Sequence, residues 1–127
     1  MPAITDLQLL LSHMAPVLHP APYGYAVTDT AVPGSFATVA EDEGRTVIAP
    51  QDALALAGID PGPPWARISL TIHSDLAAVG LTAAFARALA DHGISANVVA
   101  GFHHDHIFVP WACRDKALTA LQELSHV

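Results

Sequence analysis

Positive charge is the scarcest property of this chain. Lys and Arg total five among 127 residues, against twelve Asp and Glu, for a formal charge of −7. A duplex-binding surface must present a cationic face that displaces counterions from phosphate, and five cations cannot build one. The same shortage argues against an anionic membrane surface as partner. Cysteine is nearly absent too. Cys113 stands alone, so no disulfide forms within the chain, and a reducing cytoplasmic setting is the expectation. No basic flank and apolar run mark a signal peptide, and Asp6 interrupts the N-terminus early. Apolar runs fall far short of the roughly 20 residues that a membrane span needs.

Catalytic patterns are equally thin. There is no HExxH, no CxxC and no Walker or dinucleotide glycine fingerprint. Cys113 has no neighbouring motif that lowers its pKa and reads as a packing residue. His73, Ser74 and Asp75 are adjacent in sequence, which says nothing of triad geometry. Glu41-Asp42-Glu43 reads as a solvated acidic tip. The expectation is a protein that is not an enzyme and carries no cofactor.

What the chain does have is apolar content, 52%, enough for a core. Leu7, Leu10, Leu11 and Met14 recur at helical spacing, with Thr5 or Asp6 as cap. Pro16, Pro20 and Pro22 then forbid continuation. Tyr23 to Thr28 reads as a strand and Val32-Pro33-Gly34-Ser35 as a turn. Phe36 to Glu41 and Arg45 to Ala49 read as a hairpin about Asp42-Glu43-Gly44, with Gly supplying a positive φ. Pro50 suits the first position of a short helix ending at Gly58. Asp60-Pro61-Gly62-Pro63-Pro64 is a stiff connector, which divides the chain into units at 1–60 and 65–127.

The second unit is more legible. Ile68, Leu70 and Ile72 alternate with Arg67, Ser69, Thr71 and His73 as in a half-buried strand. Ser74 to Gly80 is a loop. Leu81, Phe85, Ala88 and Leu89 make the apolar stripe of a helix closed by Gly93. Ser95 to Gly101 and His106 to Pro110 form two strands, and Ala117, Leu118, Leu121 and Leu124 face one way on a last helix. The order β-α-β-β-α, with a shorter α-β-β-α theme ahead of it, predicts an α+β ferredoxin-like fold: tandem units with antiparallel sheets and helices on one face. The second unit lacks a final strand. The 67–73 strand is expected to close the first unit or open the second, but not both, so the halves are expected to exchange or share a strand.

Three features carry candidate chemistry. Phe102-His103-His104-Asp105-His106 is rich in metal-ligating side chains, and a His-based metal site or enzyme is one reading. Its spacing argues against a preformed site, because neighbouring strand positions diverge. The loop running through Gly80, Leu81 and Thr82 into a helix start offers free N–H groups and the helix dipole to a carboxylate. Asp105 offers a charge for an ammonium, unless it merely caps the turn. Together the last two describe an amino-acid site. A purely structural interaction module without a small ligand is the remaining reading.

The run from Ile68 through Ser74-Asp75-Leu76, then Val79-Gly80-Leu81-Thr82, then Ile94 to Pro110 with Gly101-Phe102-His103-His104-Asp105 at its centre, resembles a small bacterial ACT-domain family, formerly a domain of unknown function. Glu41-Asp42-Glu43-Gly44-Arg45-Thr46 resembles its shorter leading unit. The resemblance covers essentially the whole chain and extends to the ACT repeats of aspartate kinases and of the cytosolic arginine sensor. It implies a tandem ACT-like, ligand-sensing regulatory module and a homodimer with ligand at an interface. In the arginine sensor a Gly-x-Thr and a Phe-x-x-Asp contact the amino acid. Those patterns fall here on Gly80, Thr82, Phe102 and Asp105, with Leu81 and His103 alongside as expected contacts.

Overall fold

The computed structural model describes residues 7–71 and 79–125. The elements run α1 (Leu7–His13), β1 (Pro16–Leu18), β2 (Tyr23–Val27), β3 (Ala37–Glu41), β4 (Gly44–Pro50), α2 (Gln51–Leu56), β5 (Trp65–Leu70), α3 (Leu81–Asp91), β6 (Asn97–Ala100), β7 (Asp105–Pro110) and α4 (Arg114–Leu124), with a 3₁₀ turn at Trp111–Cys113 before α4. The strands form a single antiparallel sheet in the order β3-β4-β2-β5-β7-β6, with β1 also on β5.

β5 organises everything else. On one edge it pairs with β7 from Trp65↔Pro110 to Ser69↔His106. On the other it pairs with β1 from Pro16↔Leu70 to Leu18↔Ile68, then takes the His19 N–H on the Arg67 carbonyl at 2.9 Å, then meets β2 at Tyr23↔Trp65. The second unit therefore obtains its missing fourth strand from β1, giving β1-β5-β7-β6 under α3 and α4. The first unit reads β3-β4-β2-β5, the same order, so β5 closes one unit and opens the other. The halves thus share a strand in one continuous sheet, and one strand serves both units, which the sequence reading had excluded, because β5 pairs on both of its edges. The prolines around residues 16–22 obscure β1. Pro16 lacks an N–H but still fits a short strand that pairs on one side alone.

The pleat sorts side chains to two faces. Ala66, Ile68 and Leu70 point with Ile107 and Val109 into a core covered by Leu81, Phe85 and Leu89 of α3 and by Ala117, Ala120 and Leu121 of α4. Leu118 and Leu124 pack at its margin. A second core joins Val32, Val47 and Ala49 to Leu54 of α2 on the same side. Each fully buried Leu or Phe contributes about 1.5–3 kcal/mol. The other face, opposite the helices, carries an aromatic cluster around Tyr23, Ile48 and Phe108, with Phe36, Tyr25 and Trp65 packed against it. The first unit has no helix between β2 and β3. The loop there places Val32 in the core, and between that loop and α2 lies an open, mainly apolar cavity of about 460 Å³ bounded by Ala31, Pro33, Ala53 and Leu56.

Several boundaries differ from the sequence reading. Pro50 ends β4 and precedes α2 rather than opening the helix. The β3–β4 hairpin pairs Glu41 with Gly44, so only Asp42 and Glu43 make the turn, and Gly44 enters β4 at φ 148°. Gly24 admits no side chain, because a Cβ there would lie 2.2 Å from the Pro61 carbonyl oxygen of the connector. The capping positions Thr5 and Asp6, the end of the 67–73 strand and most of the loop before α3 lie outside the described residues.

Because β5 belongs to both units, Ile68→Ala is expected to cost about 2–5 kcal/mol and to leave a single denaturant transition followed identically by probes in each half. Two separated transitions, with the first unit unaffected, would contradict the shared strand.

Candidate functional site

The sequence-derived site residues divide between the start of α3 and the β6–β7 connection. Gly80 is the residue before α3, left-handed at φ 96°, and no side-chain hydrogen bond caps the helix there among the described residues. A Cβ at Gly80 would meet Leu7 Cδ2 of α1 at 3.0 Å. The left-handed backbone is what favours glycine at this position. Leu81 is 3% exposed and belongs to the core, so only its backbone can face outward. Thr82 is exposed in the first turn.

The β6–β7 connection is closed by a 2.9 Å hydrogen bond from the Gly101 N–H to the His104 carbonyl, not by an Asp105 side-chain bond. Phe102 projects from its tip, 72% exposed, with the His103 ring edge-on at 5.1 Å. Asp105 opens β7 opposite Ala100. Its parity with Ile107 turns it toward the helix side. Burial pushes the Asp105 carboxyl above its ordinary value, and the nearby His104 pulls partly the other way. Since Ser69 pairs with His106, the end of β5 lies beside the start of β7. The Phe102–Asp105 turn therefore lies at the end of the sheet where β5 finishes. Among the described residues, no three His, Cys, Asp or Glu side chains converge as metal ligands.

A second constellation, missed by the sequence reading, occupies the helix-free face. Arg67 Nη1 donates to the Tyr23 hydroxyl at 2.9 Å and Nη2 to His106 Nδ1 at 3.3 Å. Its guanidinium lies over the Phe36 ring at 4.1 Å, a cation–π contact. Arginine only donates, so His106 Nδ1 is an acceptor and the ring proton is assigned to Nε2. Ser69, 8% exposed, places Oγ 2.8 Å from that same Nδ1 and 2.8 Å from His19 Nε2. The consistent network runs His19 N–H to Ser69, and Ser69 O–H to His106. Burial, then Arg67, then His104 and His19 hold the His106 pKa down at about 4. Burial and Arg67 lower that of His19 as well. Ser69 Oγ is held between the two imidazoles, and Arg67 holds His106 from the other side. The signal available in the sequence was the outward row Arg67, Ser69 on β5. Its partners on β7 and near β1 depended on register.

A continuous antiparallel sheet with both units in ferredoxin-like order and helices on one face defines the class, a tandem of ACT-type folds. The chain belongs to the ACT domain family: ACT domain models match residues 2–63 and 63–123. Its fold matches a Vibrio cholerae structure, described as a protein of unknown function and possible transport protein, with TM-score 0.82, 43% identity and coverage of 94% of this chain and 95% of that one. The regulatory subunit of aspartate kinase from Thermus thermophilus shares the fold with TM-score 0.61 at 15% identity, over 86% and 95% of the two chains. The aspartate kinase of Clostridium acetobutylicum does so with TM-score 0.65 at 8% identity, over 86% of this chain and 34% of that one. A search of curated protein sequences finds no match. No helix among the described residues is long and apolar enough to cross a membrane.

His106 depressed to about 4 against an ordinary 6.5 has a definite consequence. Between those values the unfolded chain binds the proton and the folded one does not, so stability is fully present above pH 6.5 and declines toward pH 4. Ring-resolved NMR titration should find His106 as the neutral Nε2–H tautomer down to about pH 4. Arg67→Met should raise that midpoint; an unchanged midpoint would remove Arg67 as a cause.

Proposed function

We propose that the chain is a non-catalytic regulatory module of the ACT kind that binds a small zwitterion, an amino acid. The observation that carries this reading is Asp105, a half-buried carboxylate without a hydrogen-bond or ion-pair partner among the described residues, at the end of the sheet where β5 finishes. Keeping such a group charged costs free energy that an ammonium would recover. The start of α3, without a side-chain cap among the described residues, supplies the complementary half. The N–H groups of Leu81 and Thr82 precede any intrahelical acceptor, and the helix dipole favours a carboxylate there.

In this reading Gly80, Leu81 and Thr82 receive the carboxylate through backbone and hydroxyl, Asp105 receives the ammonium, and Phe102 with His103 covers the side chain. Residues 1–60 and 65–127 act as two ACT-like units, and a cytoplasmic homodimer completes the site at an interface. The signal passes to a partner protein by contact. The regulatory aspartate kinase subunit with the same fold supports a regulatory role over a catalytic one.

A thermal-shift screen of the common amino acids tests this directly. Ligand at a hundredfold excess over its Kd should add about 2.7 kcal/mol of stability. Asp105→Asn should abolish the shift while keeping the fold. If no amino acid moves the melting point, or if Asp105→Asn responds like the parent, the zwitterion reading is wrong.

A further inference from the structure

We propose that Arg67 anchors a second binding site, on the helix-free face of the sheet, for the carboxylate of a small organic acid with an apolar body.

Arg67 carries an unbalanced charge. Arg67 is half-buried, and among the described residues no carboxylate pairs with it. Its two hydrogen bonds go to neutral acceptors, Tyr23 and His106, and its Nε is enclosed without any acceptor. A partly desolvated cation with only neutral partners is costly, and an anion arriving from outside relieves that cost. The titratable groups around Arg67 are Tyr23, His19 and His106, with Tyr25 beyond them; none carries negative charge at neutral pH. By register the acid on this face of the strands is Glu41, at the far end of β3.

The donors left over favour a carboxylate. With one N–H of Nη1 and one of Nη2 engaged and Nε closed off, the remaining pair is one N–H on each terminal nitrogen. One free N–H on each terminal nitrogen can donate to the two oxygens of a carboxylate. The surroundings favour an apolar body rather than a strongly hydrated phosphate. Phe36 backs the guanidinium at 4.1 Å, and Tyr25 and Trp65 continue the patch, half-buried and edge to face at 5.8 Å. Val17 and Val27, 45% and 68% exposed, widen the same face. His106 faces this side while its neighbour Asp105 faces the other, so the site is separate from the amino-acid site proposed above.

Benzoate is the probe, titrated at constant ionic strength into the full chain labelled at histidine and followed by NMR, with inorganic phosphate as comparison. The expected result is a saturable shift of the His19 and His106 ring signals, with the His106 midpoint moving up as Arg67 gains a counterion. Arg67→Met should eliminate the response. Arg67→Lys, which keeps the charge and loses the fork, should weaken it about tenfold while preserving the amide spectrum. Asp105→Asn should leave it intact, which separates this site from the zwitterion site. The proposal is overturned if benzoate gives no saturable shift, if Arg67→Lys binds as the parent does, or if phosphate binds as well as benzoate.

Discussion

The ladder on both edges of β5 is the constraint on which the rest of the molecule depends. Six residues, Trp65–Leu70, serve as the last strand of one unit and the first of the next. One edge is taken by β7. The other is taken by an interrupted strand that runs from Pro16 through His19 to Tyr23. The economy is considerable. Two ferredoxin-like units would otherwise need eight strands and two cores, and a chain of 127 residues has little interior for that. Sharing one strand makes the helix-side cores neighbours on one sheet, and it brings residues some fifty positions apart, such as His19 and Ser69, into hydrogen-bonding contact.

Placing all helices on one side leaves the opposite face to be managed by side chains. Aromatic residues do part of this work, with Phe108 fully buried beneath Tyr25, Tyr23 and Phe36. Arg67 does the rest. Its stem lies along the sheet, its plane stacks on Phe36, and its donors stitch β2 to β7. Burial first and this cation second lower the pKa values of His106 and His19, and Ser69 is held between the two rings. The same three outward positions on β5 filled with aliphatic residues would leave an apolar strip on an uncovered sheet, with the risk of unspecific association.

Legibility from sequence followed locality. The elements from β5 to α4 were readable because each carries its own period: alternation in β5, and the stripe Leu81, Phe85, Leu89 in α3. Gly93 and Gly44 marked their turns, since only a positive φ fits there. β1 was not readable. Its identity as a strand lies in a pairing with residues 68–70, and its local sequence, bounded by prolines, argues for a break. Gly80 has a neighbour the sequence could not show, Leu7 of α1, which is distant in sequence. Leu81 carried two readings, stripe and ligand contact. Its burial assigns the side chain to the stripe and leaves the backbone as the part that can face a ligand. The histidines drew attention to metal, yet His106 is committed to Arg67 and Ser69, and His104 Nδ1 is buried without a partner. Arg67 itself read as an ordinary outward polar position, since an alternating strand shows which way a side chain points and not what meets it.

The pleat also explains how an acidic chain keeps both an unpaired cation and an unpaired anion within one strand pair. Ser69 faces His106 across the β5–β7 ladder, so Arg67 and Asp105 are only a few residues apart along it. On one face they would be drawn together, and either would neutralise the other. Parity forbids it: Arg67 shares its face with His106 and Phe108, whereas Asp105 shares its face with Ile107. The intervening sheet is the filled core of Ile68 and Ile107, both 0% exposed, through which no side chain of either kind passes. Opposite charges are thus held back to back, each half-buried and each short of a partner. The pleat of the β5–β7 pair keeps Arg67 and Asp105 from neutralising each other.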